Sequence, residues 1–277
     1  MASSPTLSVA LLPGAEELLR VHARELPQRD DFCGAFCGSL ALFAAGLRAL
    51  GGAALDQDEV ALAAGTTVST VPHTNMLPAG ESGRRDYRLE PPLIGEHEES
   101  GTTATGLVRA LEELSEARLA AVPFDRPWSE STIAGLFDAA LELEHPATLI
   151  ANVATRHFWG ARPSMAQLLG YLLRGELDGP RPDWDVGHFI CIGARIHGPA
   201  GTLYAILDTY PSLGARGVHV QPQERLALAL RRPEMAPGGV IAVVDAADAA
   251  LVRESALAAG LHEGAWDNGS VSYERQP

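Results

Sequence analysis

Lysine is absent from the 277 residues, and all 21 basic positions are arginine. That absence excludes a Schiff-base lysine, a P-loop GK[ST] signature and a Ser–Lys dyad, and with them several families of mechanism. Basic stripes are missing too. The 21 basic residues face 35 acidic ones, the formal net charge is −14, and no run of arginine is interleaved with aromatics. Nucleic acid and anionic membranes are therefore not expected as partners. Long apolar runs are lacking: no stretch reaches the ~18 uncharged apolar residues of a membrane span, and the first residues show no basic start followed by an apolar run. Cysteine is scarce, and three is an odd count. This argues against a disulfide framework and fits reduced thiols in a cytoplasmic protein.

What remains is an ordinary globular composition, 46% apolar, ample for a core in a chain of this length. Periodicity predicts a short amphipathic helix over 14–26 and a buried helix from Cys33 to about Leu50, closed by Gly51 and Gly52. Further helices are expected over 56–64, in "SGTTATGLVRALEEL" with Ser100, Thr102 or Thr103 as cap, over 131–143 and in "SMAQLLGYLLRG". Strands are expected at "ARLAAVPF", "ATLIANVA", "VGHFICIGARI" and "TLYAILDTYP", the last two as a hairpin. Residues 72–100 and 155–186 read as excursions from the compact domain. The tail from 239 reads as a strand, a helix and an irregular end whose "GAWDNGS" suggests a tight turn or a partner contact. Helices come first and an antiparallel sheet second, an α+β order.

The stretch "LPQRDDFCGAFCGSLALF" holds two of the cysteines. A metal site needs more ligands than a C-x3-C pair, and no second C-x2-C or H-x3-H follows, so no metal and no cofactor is expected. Cys37 falls on the apolar stripe with Phe36 and Leu40 and suits a core position. Cys33 stands where a polar turn gives way to the helix, where free backbone N–H groups and the helix dipole favour an anionic sulfur. Gly34 behind it leaves room for a substrate carbonyl.

A thiolate nucleophile needs an imidazole, and the imidazole an orienting acceptor. His188 opens the strand "GHFICIG", and Asp208 ends the neighbouring strand of the hairpin, within reach of that imidazole. Gln28, five residues before Cys33, is placed to donate its amide to an oxyanion. Each has a plainer reading: a sheet-edge histidine, a turn-opening aspartate, an exposed turn glutamine. Asn152, His157 and Trp159 follow a strand and are candidates to line a substrate cleft, with a packed aromatic loop as the alternative. Cys191 reads as core.

The order "Q-x4-C-G", "GTTATGLVRALEELSEARLAAVPF", "GHFICIG", "LDTYP" resembles the papain-like peptidases that process double-glycine bacteriocin leaders, over roughly residues 26–212. The resemblance implies a papain-like α+β fold, N-terminal helices on an antiparallel sheet, spanning 1–235 with insertions at about 72–100 and 155–186. Residues 236–277 would form a small βα extension packed on it. It further implies Cys33 as nucleophile, His188 as general base and acid, Asp208 as its orienter and Gln28 as oxyanion donor. The activity so implied is that of a cysteine peptidase or amidase on a peptide or small amide or thioester substrate. An acyltransferase using the same thioester, or a catalytically silent papain-like binding protein, are the alternatives. Asp208 is followed by Thr-Tyr-Pro rather than directly by proline, a departure from the family pattern.

Overall fold

The computed structural model describes residues 6–71, 76–95 and 97–273; residues 72–75 and 96, inside the expected excursion, lie outside it. Eight helices are present among these: α1 (Ala15–Glu25), α2 (Cys33–Ala44), α3 (Gln57–Ala64), α4 (Ala104–Leu114), α5 (Glu130–Leu141), α6 (Met165–Arg174), α7 (Gln223–Arg231) and α8 (Ala249–Ala258). The main sheet has eight strands: β1 (Ser8–Leu11), β2 (Leu119–Arg126), β3 (Thr148–Ala154), β4 (Gly187–His197), β5 (Thr202–Leu207), β6 (Val218–Pro222), β7 (Gly239–Asp245) and β8 (His262–Glu263). Their spatial order is β6-β5-β4-β3-β7-β2-β8, with β1 on the second half of β4. Every pairing in it is antiparallel.

Local signals account for most boundaries. Asp56 caps α3 through the amides of Asp58 and Glu59, and Gly65, in the left-handed region, ends it. Thr103 accepts from the Gly106 amide at the start of α4. Ser129 and Ser164 form capping boxes with Thr132 and Gln167. The cysteine helix stops at Ala44 rather than near Leu50. Gly46 takes φ 82°, and the Leu47 amide bonds back to the Leu42 carbonyl. The apolar run beyond it turns away into a short two-strand pairing of Ala49–Leu50 with Ala53–Ala54.

The strand side chains alternate between two cores. On β3, β4 and β7, Leu149, Ala151, Ile190, Ile192, Val240 and Ala242 meet α5, α7 and α8. Ile150, Phe189, Cys191, Ile241 and Val243 meet α1 to α4. The sheet is thus covered by helices on both faces, which is why β3 and β4 read as continuous apolar runs rather than alternating ones. Helices on one face only would have left the first of these cores open to water. The segment after 236 is no appendage, since β7 lies in the sheet interior between β3 and β2. No helix among the described residues is long and apolar enough to cross a membrane.

Candidate active site

Cys33 begins α2, where the N-cap residue Phe32 supplies no side-chain cap to the amides of the first turn. The helix start is pressed against the segment 100–102. A Cβ on Gly34 would stand 2.8 Å from Thr102 Cβ and 3.2 Å from the Phe189 ring. Gly34 thus serves close packing behind Cys33 and has no space to admit a ligand. Gly34→Ala is expected to cost about 1–3 kcal/mol through overpacking, read as a lowered melting temperature together with slower alkylation of Cys33. A melting temperature equal to that of the natural chain would show that Thr102 yields freely.

His188 comes from the start of β4, and Asp208 directly follows β5. Both are buried, and the imidazole Nε2 lies 3.0 Å from Asp208 Oδ1. Since Nε2 is engaged there, Nδ1 is the ring nitrogen left to face Cys33, which lines the same cleft and acts electrostatically on the imidazole. Trp184 stands edge-on to the His188 ring at a centroid separation of 4.9 Å and shields it from water. Burial works against a charged His188, but the Asp208 carboxylate and Cys33 outweigh it and push the imidazole up to about 10. Burial likewise opposes ionisation of Asp208, yet His188 and His219 hold its carboxyl well below the usual range.

These shifts carry a sign for stability. A raised histidine contributes in full below its unfolded value near 6.5, and that contribution declines as pH climbs toward about 10. The depressed aspartate contributes in full above about 3.9 and is lost in acid. The pair therefore favours the folded state most between about pH 4 and 6.5. Thermal melts should show stability declining from pH 6.5 to 10, and a flat profile across that window would contradict the pairing.

The Asp208 carboxylate is held from several sides. The Thr209 amide donates to Oδ1 at 2.7 Å, and His219 Nε2 lies 3.2 Å from Oδ2. His22 on α1 donates from Nε2 to the Asp208 carbonyl at 2.6 Å. His219 Nδ1 in turn accepts from Gln221, whose amide group clasps the backbone of Trp159 on both sides. His219 and His22 were not foreseen. Both lie in apolar stretches, "GVHVQP" and "LLRVHA", where a histidine reads as one more covered side chain.

Gln28 is buried beside Cys33. Its backbone N–H donates to the Thr209 carbonyl, and its side-chain Oε1 has no hydrogen-bond partner. Gln28, Cys33 and His188 share a cleft of about 430 Å³ with Trp184, Tyr210 and Arg232, large enough for a small ligand. Its far wall is built by Asn268, Gly269 and Ser270. This is the "GAWDNGS" segment, stitched down by Asn268 to the Thr102 carbonyl and by Ser270 to the Ser100 carbonyl.

Asn152 reaches the cleft, donating to the His188 carbonyl at 3.4 Å and accepting from Arg232. His157 and Trp159 do not line it. His157 pairs with Glu234, and Trp159 is buried against Tyr171, with its indole N–H on the Leu177 carbonyl. The 3-10 turn Thr155–His157 after β3 directs these side chains away from the site and leaves Arg156 as the cleft residue. Cys37 and Cys191 are free and fully buried, and burial with their mutual hydrogen bond pushes the Cys37 thiol up, so neither competes with Cys33. Among the described residues no group of histidine, cysteine or acidic side chains is arranged to hold a metal ion.

A model for a family of unknown function (DUF6885) matches residues 12–267. No curated protein matches the chain.

Proposed function

The chain belongs to DUF6885, a family of unknown function, and we propose that it is a cysteine-dependent acyl-transfer enzyme of papain-like architecture, acting as a peptidase or amidase. The observation that carries this reading is the Cys33–His188–Asp208 array, in which an imidazole held by a buried carboxylate shares a cleft with a cysteine at a helix start. In the proposed reaction the Cys33 sulfur attacks a carbonyl carbon while His188, carrying the proton, delivers it to the departing amine. The oxyanion is met by the Cys33 amide at the uncapped helix start and by the Gln28 side-chain amide. His188 then takes a proton from water, which attacks the thioester and frees the acid. Three free thiols fit a reducing cytoplasm.

An activated ester, p-nitrophenyl acetate, tests the reading. The Cys33 sulfur is expected to take the acetyl group as nitrophenolate leaves, giving a burst and an acetyl adduct located by mass spectrometry. An adduct on another residue, or none, would speak against the enzyme and for a silent binding protein. Decay of the adduct in water alone, against decay only when an amine is added, separates a hydrolase from an acyltransferase.

A further inference from the structure

Arg232 is only 4% exposed, and no carboxylate of a described residue lies within ion-pair distance of its guanidinium. Buried arginines are normally paired, because an uncompensated charge away from water is expensive. Here Nη1 donates to Asn152 Oδ1, while Nε is buried with no partner. The side chain lies beside Gly187, where a Cβ would stand 2.9 Å from Nη2, so the guanidinium is next to the residue preceding His188. It also borders the cleft that holds Cys33. Arg232 takes φ 47° at the end of α7, a left-handed position where glycine is the usual choice. A large side chain kept there despite the strain has a use.

We propose that Arg232 is the anchor for a carboxylate on the substrate, so that the enzyme acts on small amides or peptides carrying a free carboxylate near the reacting carbonyl. The acidic side chains of the same cleft are placed differently. Asp185 pairs with Arg156, Asp31 accepts from the Ser69 amide and the Ser100 hydroxyl, and Glu98 is exposed. Their presence disfavours a multiply charged anion such as a phosphate and suits a single carboxylate, which a guanidinium fork grips in its own plane. On the facing wall Asn268 Oδ1 is buried without a partner and accepts an amide N–H from the same ligand.

The inference rests on Cys33 being the nucleophile, and the test separates the two ideas. The whole chain is alkylated with iodoacetate and with iodoacetamide, and each rate at Cys33 is read by mass spectrometry. In both reactions the sulfur bonds to the methylene carbon and iodide leaves with the electron pair, so the reagents differ only in the charge brought into the cleft. The iodoacetate-to-iodoacetamide ratio should fall about tenfold in Arg232→Met, the lower range for a lost charge-assisted hydrogen bond, with partial recovery in Arg232→Lys. The His188 imidazolium also attracts the anion, so the change in the ratio is the diagnostic quantity. An unchanged ratio, even with both rates lowered together, overturns the proposal and assigns Arg232 to the sulfur. Iodoacetamide labelling no faster than that of glutathione would instead condemn the nucleophile. A second measurement needs neither an Arg232 variant nor the nucleophile. N-acetylglycine should bind the natural chain saturably, read through Trp184 fluorescence with Trp184→Phe as the control, and about tenfold more tightly than neutral N-acetylglycinamide. Equal affinity, or no binding of the acid, overturns the carboxylate anchor.

Discussion

Cys33→Ser is expected to remove the only fast-reacting thiol of the protein, because Cys37 and Cys191 are fully buried. The adjoining imidazole and the helix start both favour reaction at the sulfur, so Cys33 should react with iodoacetamide at pH 6 on the order of 10–100 times faster than glutathione. Removing the imidazole in His188→Ala should return the rate to that of an ordinary thiol. Labelling of the natural chain at the glutathione rate, or labelling that survives Cys33→Ser, would end the case for a nucleophile.

Asp208→Ala strikes both function and fold. The carboxylate is the acceptor for His188, His219 and the Thr209 amide, and its loss strands three buried donors. Breaking a buried ion pair on one side costs about 3–5 kcal/mol, which for a chain of this size corresponds to roughly 10 °C in melting temperature. With the carboxylate gone, burial is opposed only by Cys33 and pushes His188 down toward the neutral form, and the ring loses its orienting acceptor. Asp208→Asn keeps the shape and most of the stability but not the charge. Its labelling rate and acyl-transfer activity should fall by roughly 10²–10⁴, the range for a mispositioned base. An Asn variant as reactive as the natural chain would show that His188 needs no orienter.

The central residues of the site were legible because each sits at a place where the chain changes character. Cys33 marks the turn-to-helix boundary, His188 opens an apolar strand, and Asp208 closes the strand paired with it; the structure brings all three together with Gln28. The strands β1 and β6 and the helix α7 were not anticipated. β1 and β6 are short, and in "LALALRRPEM" the arginines look like the solvated end of a helix. Only tertiary packing makes Arg232 a buried residue. The second helical layer follows the same logic. A strand such as "ATLIANVA" is apolar on both faces, but which helices supply the second cover depends on contacts distant in sequence. For His157 and Trp159, proximity to a strand end was the sole signal, and the turn after β3 sends them elsewhere.

The interior placement of β7 bears on how the chain is made. Synthesis proceeds from the N-terminus, so the strand that fills the middle of the sheet leaves the ribosome after both of its neighbours. Until it arrives, β2 and β3 each hold out an unpaired edge with apolar faces. The nascent protein must therefore keep the β3–β6 side of the sheet and the lone β2 strand apart and unaggregated before a later strand joins them. A chain released before Gly239 is a candidate for chaperone capture or precipitation rather than a smaller stable protein.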